Sequence, residues 1–145
     1  MLIFPEIDEK QTLSNVKSFF KNDFKKIERL SGYDGVISSP SFDGLPHSTN
    51  NQSPDNFFIK HASYAELFKA VVNAINKCTE HHRIILKGYY LDGLKGFQIQ
   101  QRLVISKSAY YERKNKAELE FADRLLVTTA KLGDENIIDL HAYKK

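Results

Sequence analysis

Hydrophobic and polar residues alternate at helical spacing through most of the 145-residue chain. Between residues 8 and 30, Leu13, Val16, Phe20, Phe24, Ile27 and Leu30 recur three and four apart, which marks the buried face of a helix. Phe19 lies beside this stripe and widens it. Asp8, with Gln11 three positions on, resembles a capping box, and Gly32 can end the helix. The stripe must be covered, either by the rest of the chain or by another copy of it. A second helix begins near residue 63, where Ser63 and Glu66 form another capping box, and its stripe is Tyr64, Leu67, Phe68, Val71, Val72, Ile75 and Cys78. Thr79 can cap a third helix that contains Ile85, Leu86, Tyr89 and Tyr90 and stops at Gly93.

Residues 95–126 continue the pattern as a helix-turn-helix. Gln98, Ile99 and Leu103 form a short helix, Val104-Ile105 a tight corner, and Ser106 an N-cap for a long helix. On that helix Tyr110, Ala117, Phe121 and Leu125 share the predicted core side, while Lys107, Ser108, Tyr111, Glu112 and Asn115 fall mainly on the other. A helix that buries one face and offers such side chains from its first turns can set them against base edges in the major groove.

Residues 31–57 differ in kind. Eighteen of these 27 residues are Ser, Gly, Pro, Asn or Asp, none is Lys or Arg, and three prolines and three glycines exclude a helix. The segment reads as a linker or as a functional loop anchored by Tyr33, Val36, Ile37, Phe42 and Leu45. The expected fold is therefore all-α. An N-terminal helix within residues 1–30 serves packing or oligomerisation, a polar loop covers 31–57, a helical DNA-binding domain covers 58–132, and a tail covers 133–145.

Charge sharpens this reading. The whole chain carries +3, but residues 58–131 hold 13 Lys/Arg against 7 Asp/Glu. Within 107–117, Lys107, Arg113, Lys114 and Lys116 face Glu112 alone, and Lys95 and Arg102 precede them, so the excess lies where a phosphate backbone would run. Catalytic chemistry is missing from the pattern. The five histidines are scattered, and the adjacent rings of His81 and His82 diverge by about 100° on a helix, so they read as solvated surface and not as metal ligands. No glycine-rich phosphate loop, nucleophile elbow or zinc spacing occurs, so neither an enzyme, a cofactor nor a metal is expected. The single cysteine, Cys78, reads as core and implies a reducing cytoplasm. No apolar run approaches the ~20 residues that span a bilayer, and the N-terminus does not resemble a signal peptide.

The arrangement of residues 83–126, in which an apolar helix ending in YYLDG leads through a short helix into a Ser-capped one, resembles region 4 of bacterial sigma-70 factors. SAYYERKNKAELEFA, with SPSFDGLP in the preceding loop, is similar to the ArpU family of phage transcriptional regulators, and the resemblance spans about residues 10–130. It implies a regulator of late genes in a Gram-positive prophage or related mobile element. By the same resemblance, Lys107, Ser108, Tyr111 and Glu112 stand at base-reading positions and Lys116 at a phosphate-contacting one. Tyr111 stands where sigma factors often carry Arg, and Glu112 replaces Gln or Arg, so the resemblance does not transfer the sigma preference for the −35 element. The expected partners are double-stranded DNA, host RNA polymerase as a further candidate, and a second copy of the chain, because Leu119, Ala122 and Leu126 would leave apolar surface wet on a monomer. Two alternatives stay open at this point: a small terminase subunit, and an interaction protein acting on RNA polymerase or a repressor.

Overall fold

Asp8 starts the first helix as its spacing predicts. Its Oδ1 accepts the Gln11 N–H at 3.0 Å, while the Gln11 side chain turns to Asn15, so only half of the box forms. Helix α1 covers Glu9–Ser18 and α2 covers Phe24–Ser31. Between them Phe19–Asp23 form a π turn, closed by the Phe24 N–H on the Phe19 carbonyl. A π turn admits one extra residue and shifts the phase of the stripe. Phe19 and Phe20, adjacent in sequence, are thereby both buried beside Phe24 and Ile27. Leu30, the last residue of the predicted stripe, is exposed at the end of α2.

The computed structural model describes residues 4–32 and 62–145. Most of the polar segment 31–57, with its proposed anchors and SPSFDGLP, lies outside the described residues. Helix α3 (Tyr64–Asn76) carries both halves of the predicted capping box, at 3.0 and 3.1 Å. Helix α4 (Glu80–Leu86) runs into a second π turn at Lys87–Leu91, followed by α5 (Gly96–Leu103) and the 24-residue α6 (Lys107–Ala130). The described residues contain no strand beyond an isolated bridge between Ile7 and Tyr143, so the fold is all-α as expected.

The phenylalanines converge. Phe20 lies 4.8 Å from Phe121 between ring centroids and stacks on Tyr90 at 3.9 Å, and Phe24 stacks on Phe68 at 5.8 Å. Helices α1 and α2 therefore share one core with α3 and α6, and the first stripe is covered within the chain. The expectation of wet apolar surface on the last helix needs correction as well: Ala122 is fully buried, and Leu119 and Leu126 are half-buried. Cys78 is core, as read, and burial, followed by the nearby Glu120, pushes its thiol up to about 12.

Among the described residues two charged ones lie inside, Lys114 and Glu118. Glu118 is fully buried; its Oε1 accepts from Lys17 Nζ at 2.8 Å, and its Oε2 accepts from Lys114 Nζ at 2.7 Å and Tyr90 Oη at 2.6 Å. Lys114 is itself only 7% exposed. Burial and this carboxylate together hold the Tyr90 hydroxyl far above its ordinary range.

The tail is not loose. The Ile138 N–H donates to Thr129 Oγ1 at 3.0 Å, the Ala142 N–H to Thr12 Oγ1 at 3.0 Å, and Asn15 Nδ2 to the Leu140 carbonyl at 3.0 Å. The Asp8 N–H reaches the Ala142 carbonyl at 2.7 Å. His141 then fastens the tail to α6: Nε2 meets Asp123 at 2.7 Å and Nδ1 meets Asp139 at 2.6 Å. Burial alone would lower the His141 pKa, but these two carboxylates outweigh it and raise it.

Glu118→Gln should cost about 3–5 kcal/mol in urea denaturation, because it strands the Lys114 ammonium in the interior. Glu112→Gln, at an exposed site on the same helix, should stay within about 0.5 kcal/mol. Equal losses in the two variants would mean that the buried cluster has no special structural weight. The His141 clamp sets a pH dependence. A raised folded pKa means its contribution is fully present below about pH 6.5, the unfolded histidine value, and fades as pH rises through the folded pKa. The stability gap between the wild type and His141→Gln should narrow as pH rises above about 6.5. A gap that stays constant would show that the imidazolium does not hold the tail.

Candidate nucleic-acid interface

The helix-turn-helix is held by a small core of its own. Ile85 from α4, Ile99 from α5 and Tyr110 from α6 are buried together, with Leu94, Leu103 and Ile105 packed around them. Two glycines make the close approach possible. A Cβ at Gly96 would meet the Tyr110 ring at 3.1 Å, and one at Gly88 would meet Ile99 at 3.2 Å. Burial, followed by Tyr89 and Tyr111, pushes the Tyr110 hydroxyl up to about 12.

Local hydrogen bonds fix the corner. The Gln98 side chain accepts the Lys95 N–H at 2.8 Å at the start of α5. At its end Val104 adopts a left-handed conformation, φ 54, and the Ile105 N–H turns back to the Gln100 carbonyl at 3.1 Å. A β-branched residue there carries strain of about 1–2 kcal/mol, so the predicted tight corner is formed at a cost. Ser106 caps α6 as expected, its Oγ accepting the Ala109 N–H at 3.1 Å. Thr79 does not cap α4 with its own side chain. Its N–H and hydroxyl both donate to Glu120 of α6, at 3.0 and 3.2 Å, and a carboxylate supplied from a neighbouring helix replaces the local cap.

From this frame the first three turns of α6 project outward. Lys107, Ser108, Tyr111, Glu112, Asn115 and Lys116 are all exposed. The i, i+4 spacing places Lys107, Tyr111 and Asn115 in one row and Ser108, Glu112 and Lys116 in the next. Tyr111 is 52% exposed, its ring edge-on to Tyr110 at 5.2 Å. Lys116 and Glu112 pair weakly at 3.8 Å. From Lys107 to Lys116 the helix rises about 14 Å, comparable with the ~12 Å width of the major groove.

Two of the predicted cations sit differently. Lys114 belongs to the Glu118 cluster, with its ammonium 4.4 Å from the centre of the Tyr89 ring. It is not on the outward face, because position 114 falls in the i, i+4 continuation of the core stripe from Tyr110. Arg113 is half-buried, and its guanidinium bonds His81 Nδ1 at 2.8 Å. His82 bonds Glu120 at 2.7 Å, so the histidine pair clasps α6 from α4 and is not merely solvated surface. Burial works to raise the Glu120 pKa, but His82, the Thr79 N–H and Arg124 outweigh it and hold the carboxyl below its usual range.

Lys95 and Arg102 are exposed. Arg102 shares a cavity of about 340 Å³ with Arg83 and Lys87 of the α4 segment, two cations the sequence reading passed over; their i, i+4 spacing was the available signal. Also unforeseen is an apolar patch on α5 and the corner after it, where Phe97 is 57% and Val104 87% exposed. Among the described residues no group of three His, Cys, Asp or Glu side chains could hold a metal ion, and no helix is long and apolar enough to cross a membrane. Compared with known proteins, the chain matches no family model, no curated protein and no solved structure.

Proposed function

We propose that this protein is a sequence-specific DNA-binding transcriptional regulator, acting in the cytoplasm of a Gram-positive host on genes of a prophage or related mobile element. The observation that carries the reading is the pairing of a rigidly seated α6 with an outward row of Lys107, Tyr111 and Asn115 on its first turns. A helix so mounted presents donors, acceptors and an aromatic face to base edges, while Ser108, Glu112 and Lys116 form the adjoining row. Lys95, Arg102, Lys107, Lys116 and the partly covered Arg113 supply the phosphate contacts. The likeness to sigma-70 region 4 and to the ArpU family supports late-gene control and is part of the proposal.

A second reading, an interaction protein that docks on RNA polymerase or a repressor, draws on the exposed Phe97 of α5 and Val104 of the corner after it. With Gln100, Gln101 and Ile105 they line a concavity of about 520 Å³. The two readings part on one measurement, DNA affinity.

Sites selected from random DNA should be bound with a log–log salt slope at least as steep as about −4. Lys107→Ala, Tyr111→Ala and Asn115→Ala should melt within about 0.5 kcal/mol of the wild type. Each should lose roughly 1–3 kcal/mol of specific binding. Normal melting together with normal binding in all three variants would remove α6 as the reading head. We further propose that the active form is a homodimer that reads two half-sites. Light scattering at tens of micromolar should then give twice the 16.7 kDa chain mass; a value near 16.7 kDa overturns the dimer.

A further inference from the structure

We infer that the N-terminal helices contribute a second phosphate-binding track, a lysine-lined groove that grips the DNA backbone beside the reading helix. The inference rests on the DNA-binding reading above and extends it to a part of the chain that otherwise serves only packing. Lys17, Lys21 and Lys25 follow one another at i, i+4, i+8 along α1, the π turn and α2, and Lys114 of α6 joins them on one cavity of about 510 Å³. No carboxylate is among the residues that line it. Glu118, the nearest acid by hydrogen bonding, is fully buried and already bonded to Lys17 and Lys114. Its charge is spent inside the protein, which leaves Lys21 and Lys25 as outward cations.

Three features select an extended phosphodiester over a small anion. The lysines rise about 6 Å per step along the helix and so form a line and not a cup. The walls are aromatic, with Tyr89 41% exposed, Tyr90 stacked flat on Phe20, and the Lys114 ammonium 4.4 Å from the centre of the Tyr89 ring. The floor, Gly93 and Leu94, leads directly into Lys95 at the start of α5. The track therefore runs from the N-terminal helices towards the helix-turn-helix, and Lys114 lies less than one turn beyond Tyr111 on α6. Phosphate contacts of this kind fix register and add affinity without reading bases.

The test is the double variant Lys21→Gln/Lys25→Gln, which removes two charges at exposed positions while keeping polar side chains and leaves the Glu118 cluster untouched. Fluorescence anisotropy would be run on the selected duplex and on a scrambled duplex across a salt series, with melting as the folding control and Tyr111→Ala alongside. The expected result is an unchanged melt, a slope shallower by about 2, and an affinity loss of about tenfold that is the same on both duplexes. An unchanged slope and affinity in the double variant, while Tyr111→Ala loses specific binding, overturns the groove and spares the reading helix. A loss confined to the selected duplex, with the slope unchanged, also overturns it, because that is the signature of a base contact. A wild-type protein that binds neither duplex overturns both proposals together.

Discussion

A carboxylate without access to water has to be neutralised where it stands, and Glu118 meets that demand with three donors, two of them drawn onto α6 from other segments. Lys17 comes from α1, Tyr90 from the π turn after α4, and Lys114 from one turn earlier on α6 itself. Desolvating an ion costs several kcal/mol, which is recovered only when geometry and hydrogen bonding are nearly complete. The two oxygens here accept three bonds of 2.6–2.8 Å. Such a cluster gives less net stability than an apolar replacement could, yet it penalises any arrangement in which α1, α4 and α6 are out of register. The phenylalanines provide the non-directional attraction beside it, and the ion cluster fixes the alignment.

That alignment has a consequence for the start of α6. With α6 held from its middle by the core and near its start by Ile85, Ile99 and Tyr110, its first turns project from a rigid base. The π turns contribute at both ends of this arrangement. One brings two successive phenylalanines inward, and the other carries Tyr90 to Glu118. The tail and the N-terminus close the far end through Thr12, Thr129 and His141, away from the outward rows of α6. The DNA-reading proposal thus places recognition at one end of α6 and the pH-sensitive fastening at the other.

Much of the fold was legible from residue spacing. Ser63 with Glu66, Ser106, and the stripe Phe68, Val71, Val72, Ile75 and Cys78 are local signals that the structure reproduces. The exposure of Lys107, Ser108, Tyr111, Glu112, Asn115 and Lys116 followed in the same way, from their place opposite the predicted core side. The π turns were not legible, because an inserted residue shifts the stripe by an amount that only the facing helix rewards. The cap of α4 was misread for a related reason: Thr79 is a good capping type, but its hydroxyl turns to Glu120, 41 residues away, instead of to the first turn of α4.

What the sequence alone determined is therefore what depends on neighbours three or four residues apart: which segments are helical, where most of them start, and which apolar side turns inward. Tertiary structure decided the fate of the charges. Lys114 and Glu118 have the i, i+4 spacing of an ordinary solvated pair, and a helix presents that spacing identically in water and in a core. Only the arrival of Lys17, 101 residues away, and Tyr90, 28 residues away, makes burial tolerable. Whether a charged side chain faces outward or holds the fold is set by what packs over it, and that information lies at long range in the chain.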